Sequence, residues 1–421
     1  MARRQITLKN CMFIVKDSNT ILEDTDILIE DGRIIDVQRG LGGGEEIDCK
    51  KYIVIPGLVN SHVHAYSWFL KGISDSIKLE SFFRKINEFS KETLQRVIYL
   101  SSKIAILEML SNGITAIMDT GIFPKEVLKA IKETDIRARI GPKVIKEEDI
   151  EYIESEIIDI KNNSDQNKIS PIIGIESISQ LSEQSIIEVF NISEKYHVDI
   201  HLSVSKTRKE TFMIKKNTGL FPIEYLNKID ILNKKPIMVH LGWITSWELN
   251  MIKNNGLSII YCPTYVMKQA TGGFFPILEA IKAGLNIALG SDSVFGNDSF
   301  DIFHEMRMCV YLQRNNYWST SFNGKDVFRM ATINGYNILH ERGGIIDHGY
   351  LADVVLLNGS APNLRPLNKY NLLNNIVYSV SSKNVFATVI GGKIIYSDEL
   401  IEKFSKTDLS VIEDFLKNIL V

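Results

Sequence analysis

Two histidines separated by one residue, His62 and His64, are the side chains in this sequence best suited to hold a metal ion. They follow an apolar run typical of a β-strand, in which residues two positions apart point to the same side. Two imidazoles on one side of a strand provide half of a tetrahedral or five-coordinate metal site. Three further candidate donors, His201, His240 and Asp292, follow later apolar runs. Together these residues predict a metal-dependent hydrolase.

The residue types also indicate what a metal would do here. Neutral imidazoles and a carboxylate suit zinc, and they also bind iron, nickel or manganese. Such a metal lowers the pKa of a bound water from about 15.7 toward 7, which provides hydroxide at neutral pH. Asp292 would accept the proton of this water and pass it to the leaving group. His240 would orient or polarise the electrophile, or bind a second metal. Asp292 has an alternative role, which is to cap a following helix.

The candidate donors need a scaffold that brings strand ends together, and the order of elements predicts one. Strand-like runs alternate with amphipathic helical stretches through the middle of the chain. Eight strand candidates cover residues 53–59, 114–118, 138–144, 172–175, 198–202, 237–241, 258–262 and 286–289. The alternation predicts an α/β fold, a (β/α)8 TIM-like barrel, whose chemistry takes place at the carboxyl ends of the strands. The candidate donors all fall at or just beyond such ends.

Both ends of the chain differ from the middle, because they contain short β-rich runs joined by polar turns. We therefore predict a small β-sandwich built from residues 1–55 plus 346–421, and a metal-dependent hydrolase barrel over 56–345. The 421 residues carry a formal net charge of −3 without a concentrated basic run, which argues against nucleic-acid binding. The sequence also lacks an apolar segment long enough for a bilayer. Four scattered cysteines without a C-x-x-C pair indicate a reducing, cytoplasmic location.

Several segments resemble the amidohydrolase superfamily, in the branch that holds methylthioadenosine/S-adenosylhomocysteine deaminases and triazine and other chlorohydrolases. The motifs that carry the resemblance are Pro56-Gly-Leu-Val-Asn-Ser-His62-Val-His64, Gly113-Ile-Thr-Ala-Ile-Met-Asp119, His201, Val239-His240-Leu-Gly242, Cys262-Pro-Thr264 and Leu289-Gly-Ser-Asp292-Ser. Terminal segments such as Leu351-Ala-Asp-Val-Val355 and Gly391-Gly-Lys-Ile-Ile395 agree with it. The resemblance covers essentially the whole chain.

The resemblance implies a set of roles for these residues. The metal ligands would be His62, His64, His201 and Asp292, and the metal would be a single divalent ion per chain, zinc or alternatively iron. His240 matches a histidine that supports the site or contacts substrate. The implied partner is a small, nitrogen-rich heterocyclic molecule, and relatives of this kind often form homodimers.

Two departures from the family pattern affect the expected chemistry. Deaminases of the branch have a glutamate three residues after the histidine of the fifth strand, where it protonates the substrate ring and moves protons. Here that position is Val204, which can neither donate nor accept a proton. General acid–base catalysis contributes roughly 10² to 10⁴ in rate, so the loss bears directly on ring deamination. Some chlorohydrolases of the branch lack this glutamate.

The second departure is Glu176, at the place where the family has a substrate-contacting histidine. Three interpretations stay open: a group that selects a cationic or amino-bearing substrate, a ligand to a second metal, or a carboxylate that is solvated or paired elsewhere. Trp68 and Lys71 follow His64 in the loop where the family binds substrate, and they are candidate substrate contacts, although core packing explains Trp68 equally well.

The sequence therefore predicts hydrolysis of a carbon–nitrogen or carbon–chlorine bond in a heterocycle, with Asp292 and His240 as the catalytic residues. Two alternatives remain. One is a metal-binding paralogue with impaired catalysis, and the other is a binuclear amidase or cyclic amidase that uses Glu176.

Overall fold

The computed structural model describes residues 4–75, 86, 88–165, 167–407 and 409–420. The strands form two eight-stranded sheets. The strands are β1 (Gln5–Val15), β2 (Ile21–Glu30), β3 (Arg33–Gln38), β4 (Glu45–Asp48), β5 (Tyr52–Pro56), β6 (Leu58–Val63), β7 (Ile114–Gly121), β8 (Arg137–Val144), β9 (Ile169–Ile175), β10 (Asp199–Val204), β11 (Ile237–His240), β12 (Ile259–Tyr261), β13 (Ile287–Leu289), β14 (Val354–Asn358), β15 (Val385–Ile390) and β16 (Lys393–Tyr396).

Helices lie between and after the strands. The α-helices are Lys91–Ser111, Pro124–Lys132, Ile150–Asn163, Glu183–Tyr196, Arg208–Thr218, Pro222–Lys228, Ser246–Asn254, Pro263–Lys268, Ile277–Lys282, Ile302–Tyr317, Gly324–Ala331, Ile333–Ile338, Leu372–Ser379, Ser397–Ser405 and Ser410–Leu420. In the described part of the chain, no helix is both long and apolar enough to cross a bilayer.

Strands β6 to β13 form a parallel sheet in which every strand pairs with its neighbour in sequence. An additional parallel bridge joins Val63 to Asp292, so the first and last strands also meet and the sheet is a nearly closed barrel. Because parallel barrel strands are buried on both faces, their sequences are continuous apolar runs, such as the Ile-Met-Val of β11. The predicted fold class, a (β/α)8 barrel with a β unit from both chain ends, is confirmed.

The second sheet is mixed and combines both ends of the chain in the order β16-β15-β14-β5-β1-β2-β3, with β4 paired to β1. The predicted strand 53–59 is in fact two strands, β5 in this terminal sheet and β6 in the barrel, separated by Gly57. The Gly57 amide donates to the Asp353 carbonyl at 2.8 Å. A side chain at Gly57 would collide with Thr115, because a Cβ there would lie 2.2 Å from the Thr115 hydroxyl oxygen. A glycine is therefore needed where the chain passes between the two sheets.

Three apolar clusters hold these layers together. One fills the barrel interior with side chains such as Val59, Met118 and Val239. A second packs the outside of the barrel against its helices, and a third underlies the terminal sheet. Burial of each large aliphatic side chain stabilises the fold by roughly 1.5–3 kcal/mol, so these clusters fix the strand ends in place.

At the amino-terminal end of the barrel strands, four buried polar side chains form a network, here called the base network: Arg137, Asp353, Tyr336 and Thr115. The Arg137 Nε donates to Asp353 Oδ2 at 2.6 Å, and the Tyr336 hydroxyl donates to the same oxygen at 2.9 Å. The Tyr336 and Thr115 hydroxyls lie 2.8 Å apart. The network joins the barrel to the segment that enters β14.

Candidate metal centre

The candidate metal centre lies where the barrel closes, because backbone hydrogen bonds join its first and last strands at the candidate ligands. The Asp292 amide donates to the His62 carbonyl at 2.9 Å, and the His64 amide donates to the Asp292 carbonyl at 3.3 Å. Gly290 permits this approach, since a Cβ there would lie 2.7 Å from the Cβ of His62. The fold therefore holds the two histidines and the aspartate at fixed relative positions.

Three imidazoles surround the Asp292 carboxylate. Asp292 Oδ2 lies 3.9 Å from His62 Nε2 and 3.4 Å from His240 Nε2, and Oδ1 lies 3.8 Å from His64 Nε2. The potential ligand atoms of His62, His240 and Asp292 all lie within 4.8 Å of one another. Potential ligands from β6, from β11 and from the segment just after β13 therefore converge on one point at the barrel mouth.

His240 and Asp292 share an uncommon backbone conformation, with φ of 78° and 60°. Non-glycine residues rarely adopt the left-handed region, and such strain of about 1–3 kcal/mol per residue persists only where the surroundings enforce it. Strand β11 ends at His240, and β13 ends shortly before Asp292. Both strained residues direct their side chains toward the centre of the barrel mouth.

His201 lies deeper in the barrel than the other candidates. Its ring centroid is 5.7 Å from that of His62, and its Nε2 is 3.2 Å from Met118 Sδ. Its Nδ1 is buried without a hydrogen-bond partner. We define His62, His64, His201, His240 and Asp292 as the histidine cluster.

The histidine cluster has the protonation pattern that metal ligands need. The Nδ1 of His64 lies 2.7 Å from the Thr120 carbonyl. Because a carbonyl only accepts, Nδ1 carries the proton and the lone pair of Nε2 faces the site. His62 Nδ1, both ring nitrogens of His240 and Asp292 Oδ2 are buried without hydrogen-bond partners. Buried polar atoms are rarely left unpaired, so this set is suited to an ion.

Burial and neighbouring charges keep the imidazoles neutral and the aspartate ionised. Burial lowers the pKa of His62 to about 3 and that of His64 to about 4. It also holds the pKa of His201 and His240 well below the usual value. Burial alone would raise the pKa of Asp292, but the Lys206 ammonium group holds it well below the usual value. At neutral pH the cluster is an anionic carboxylate among neutral nitrogen donors.

Two lysines and a glutamate lie directly beside the histidine cluster. Lys206 Nζ is 3.6 Å from Asp292 Oδ2 and 3.5 Å from Glu176 Oε1. Lys143 Nζ is 3.1 Å from His64 Nε2 and forms an ion pair with Glu176 Oε2. The lysine ammonium groups hold the pKa of Glu176 below its usual range, although burial opposes them. We call Lys143 and Lys206 the lysine pair.

Comparisons with known proteins agree with this geometry. The model of the amidohydrolase family matches residues 53–395. The chain belongs to the amidohydrolase family. It is 30% identical over 420 residues to the 5-methylthioadenosine/S-adenosylhomocysteine deaminase of Pyrococcus furiosus, a match that covers 97% of this chain and 99% of that protein.

Two solved structures share the fold along nearly their whole length. An adenosine deaminase from Xanthomonas campestris with bound zinc superimposes with a TM-score of 0.88 at 21% identity, covering 99% of this chain and 98% of that one. An atrazine chlorohydrolase from Arthrobacter aurescens, complexed with zinc, gives 0.86 at 17% identity, covering 99% and 100%. The predicted resemblance to this branch of the family is confirmed, and so is the prediction of a hydrolase for carbon–nitrogen bonds other than peptide bonds.

Val204, which stands where the resemblance implies a glutamate, lies in the interior of the protein. Val204 is fully buried and pairs with His240 across β10 and β11. Its neighbours Ser203 and Ser205 are also buried, and the Ser205 hydroxyl lacks a hydrogen-bond partner. The side chain that reaches Asp292 from this segment is that of Lys206, two residues further on.

The structure places Trp68 and Lys71 away from the histidine cluster. The Trp68 indole donates to Glu108 Oε2 at 2.9 Å, and Lys71 Nζ donates to the same oxygen at 3.1 Å. Glu108 belongs to the helix Lys91–Ser111, so both candidates are anchored to the outer wall of the barrel. Lys71 is 41% exposed and Trp68 is partly buried. Any contact with substrate by these residues would be made from the rim.

Sequence reasoning missed part of the site. Lys143 was not singled out, although a lysine near the carboxyl end of an apolar barrel strand satisfies the same rule that identified the histidines. Tyr265 was also missed: its ring lies 4.3 Å from Lys206 Nζ and its centroid is 5.6 Å from that of His240. Asp119 is fully buried, and its Oδ2 accepts the Ala65 amide at 2.6 Å.

Proposed function

We propose that this amidohydrolase is a metal-dependent hydrolase that cleaves a carbon–nitrogen or carbon–chlorine bond in a small, nitrogen-rich heterocycle. The observation that carries the proposal is the convergence of neutral imidazoles, several of whose ring nitrogens lack hydrogen-bond partners, on the ionised Asp292 at the barrel mouth. The deaminase and chlorohydrolase names of the similar proteins agree with this class of substrate.

The donor set fits a divalent transition metal. His62, His64, His201 and Asp292 would hold one ion per chain, zinc first and iron as the alternative, because they supply nitrogen donors and one carboxylate. When bound, the metal would supply an activated water as the nucleophile. Binding would require Lys143 to leave His64 Nε2, since the ammonium group occupies the lone pair that a metal would use.

The residues of the chain supply the proton transfer and the orientation. Asp292 would accept the proton from the nucleophile and deliver it to the leaving group, because its carboxylate is ionised and its Oδ2 lacks a hydrogen-bond donor. His240, 3.4 Å from that oxygen, would orient the substrate. Glu176, 32% exposed, would contact the substrate while it holds the lysine pair. Trp68 and Lys71 would contact a substrate only at the rim.

The position of Val204 limits which leaving groups are suitable. A valine cannot protonate a ring nitrogen, so ring deamination loses a contribution of roughly 10² to 10⁴ in rate. Substrates that need no ring protonation, such as those with a good leaving group or a ring carbonyl, are therefore favoured. The binuclear alternative gains no support from the geometry, because each oxygen of Glu176 is already paired with a lysine.

The first experiment measures metal content by elemental analysis and ammonia or chloride release from aminated and chlorinated purines, pyrimidines and triazines. We expect about one transition-metal equivalent per chain and turnover of at least one compound. Two equivalents would favour the binuclear amidase. Absence of both metal and turnover, after zinc or iron has been added back, would contradict the proposal and favour the impaired paralogue.

A second experiment restores the missing acid. In Val204→Glu, the new carboxyl group would lie beside His240, and we expect deamination of aminopurines to rise by up to about 10²-fold. Val204→Gln is the matched control, because glutamine has the same size but no acidic proton to transfer. Equal activity of the two variants would contradict a role for proton donation at this position.

A further inference from the structure

The lysine pair is unusually well buried for charged side chains. The Lys143 side chain is 9% exposed and that of Lys206 is 14% exposed. Lysines are almost never buried to this extent unless they are paired. Both are paired, yet their partners are few: Glu176 is shared by the two ammonium groups, and Lys206 shares Asp292 with the histidine cluster.

Two ammonium groups lie directly beside the place where a divalent metal would bind. They face the carboxylates of Glu176 and Asp292, and the imidazoles are neutral. A divalent metal on Asp292 would add two positive charges while using the carboxylate that now faces Lys206. At 3–4 Å and low local dielectric, uncompensated charges of this kind are strongly unfavourable. The loaded site would therefore carry additional positive charge, which a negatively charged ligand would help to offset.

Lys206 is positioned to contact such a ligand. Its ammonium group lies beside Asp292, the proposed proton acceptor, and over the ring of Tyr265, 4.3 Å from the ring centroid. Lys143 lies near the carboxyl end of β8, and its ammonium group pairs with the other oxygen of Glu176. Glu176, one third exposed, holds both ammonium groups, and an incoming anion would share Lys206 with it.

We propose that Lys206, assisted by Lys143, makes this enzyme selective for heterocycles that carry a negative charge next to the reacting carbon, either as a ring oxyanion or as a carboxylate. This inference rests on the proposed heterocycle hydrolase and names the substrate class for the same site. It also explains the valine at position 204, because a glutamate there would neutralise the Lys206 charge that attracts the anion.

The test compares the binding of three pyrimidines of similar size by calorimetry on the metal-loaded protein at neutral pH. Orotate carries a carboxylate, barbiturate carries a ring oxyanion, and uracil is uncharged. We expect at least one anion to bind about tenfold or more tightly than uracil. Preference for orotate alone assigns the carboxylate, and preference for barbiturate alone assigns the ring oxyanion. Equal affinity for all three, or no measurable binding of either anion, would overturn the proposal.

Variants test whether Lys206 causes the preference for anionic pyrimidines. Lys206→Met should reduce it to less than about threefold, whereas Lys206→Arg should retain it, because arginine keeps the charge. Lys268→Met is the matched control, since Lys268 is 19% exposed and pairs with Asp298 outside the cluster. Full preference in Lys206→Met would overturn the assignment. The wild-type comparison needs no folded variant and no turnover, so failure of the hydrolase assay and failure of this inference are separate results.

Discussion

The two ends of the barrel both bury charged side chains, but they satisfy them in opposite ways. In the base network, Asp353 accepts from Arg137, Tyr336 and the Gly391 amide, and these hydrogen bonds are 2.6 to 3.4 Å long. In the histidine cluster, ring nitrogens of His62, His201 and His240 are buried without partners. The paired buried charges at the amino-terminal end stabilise the fold. The buried ring nitrogens without partners at the carboxyl-terminal end are available to bind an ion or a substrate.

The difference shows how a single strand can serve both ends. Strand β8 begins at Arg137, in the base network, and its last residues include Lys143, beside His64. The same strand therefore anchors the terminal sheet at one end and places a cation in the site at the other. Changes at the two ends should then separate stability from activity.

The largest effect is expected at Asp292. In Asp292→Asn the side chain keeps its size but loses its charge and its capacity to accept a proton. We expect turnover to fall by about 10³-fold or more, which is about 4 kcal/mol, together with a loss of bound metal. The measurement is steady-state kinetics with elemental analysis. Asp298→Asn, an ion-pair partner outside the cluster, is the control. Retention of a tenth of the activity would remove Asp292 from the proposed mechanism.

At the base network, Asp353→Ala should act on stability instead. Removal of one partner leaves Arg137 as an uncompensated buried charge, so the free energy of unfolding should fall by about 3–5 kcal/mol. Denaturant titration measures this change, and metal content per folded chain should stay the same. In Asp347→Ala, an exposed pair with Lys16 at 2.8 Å is lost, and the change should be below about 1 kcal/mol. Comparable losses in the two variants would contradict the contrast between buried and exposed pairs.

Glu305 provides a pH test near the site. It is fully buried on the helix Ile302–Tyr317 and accepts from the Thr264 amide and Asn297, but burial raises its pKa from 4.5 to about 7. Its folded pKa lies above the unfolded value, so its stabilising contribution is complete below about pH 4.5 and is lost as pH rises through 7. The difference corresponds to about 3 kcal/mol.

The measurement for Glu305 is the free energy of unfolding against pH in wild type and Glu305→Gln. The wild type should lose up to about 3 kcal/mol more than the variant between pH 4.5 and 8. Parallel curves would show that the carboxyl group titrates normally and that the pH argument for this residue is wrong.

The smallest effect is expected at the rim. Lys71 is 41% exposed and shares Glu108 with Trp68, so Lys71→Met removes one screened contact. We expect KM to rise by about two- to threefold, which is below 1 kcal/mol. Steady-state kinetics with the best substrate of the panel measures it, and Lys103→Met, a surface pair with Glu133, is the control. A tenfold or larger change would place Lys71 much nearer to the substrate than its contact with Glu108 indicates.

Much of the barrel could be predicted from the sequence, because its signals are local. Alternating apolar runs and helices specify strand order, and the one-residue spacing of His62 and His64 places both at a strand end. The boundary between β5 and β6 could not be predicted in this way. A single apolar run covers both strands, and only the clash that a side chain at Gly57 would make with Thr115 shows why a glycine stands between them.

The charged part of the site depends on contacts between distant segments. Glu176 was identified as a departure with three possible roles, and the structure pairs it with Lys143 and Lys206. Trp68 was a candidate for stacking on substrate, and the tertiary contact with Glu108 gives it another partner. Neither pairing leaves a periodic pattern in the sequence, because each joins residues more than 25 positions apart.

The pairing of β5 with β14 has a consequence for synthesis of the chain. Residues about 300 positions apart, such as Ile55 and Val355, lie side by side in the terminal sheet. Because the chain is synthesised from its amino terminus, His62 and His64 leave the ribosome long before β14, the partner strand of β5, has been made. The unpaired edge of β5 is covered only when β14 emerges. Prematurely terminated chains that stop before β14 would leave the edge of β5 open, and we expect quality-control proteases to remove them.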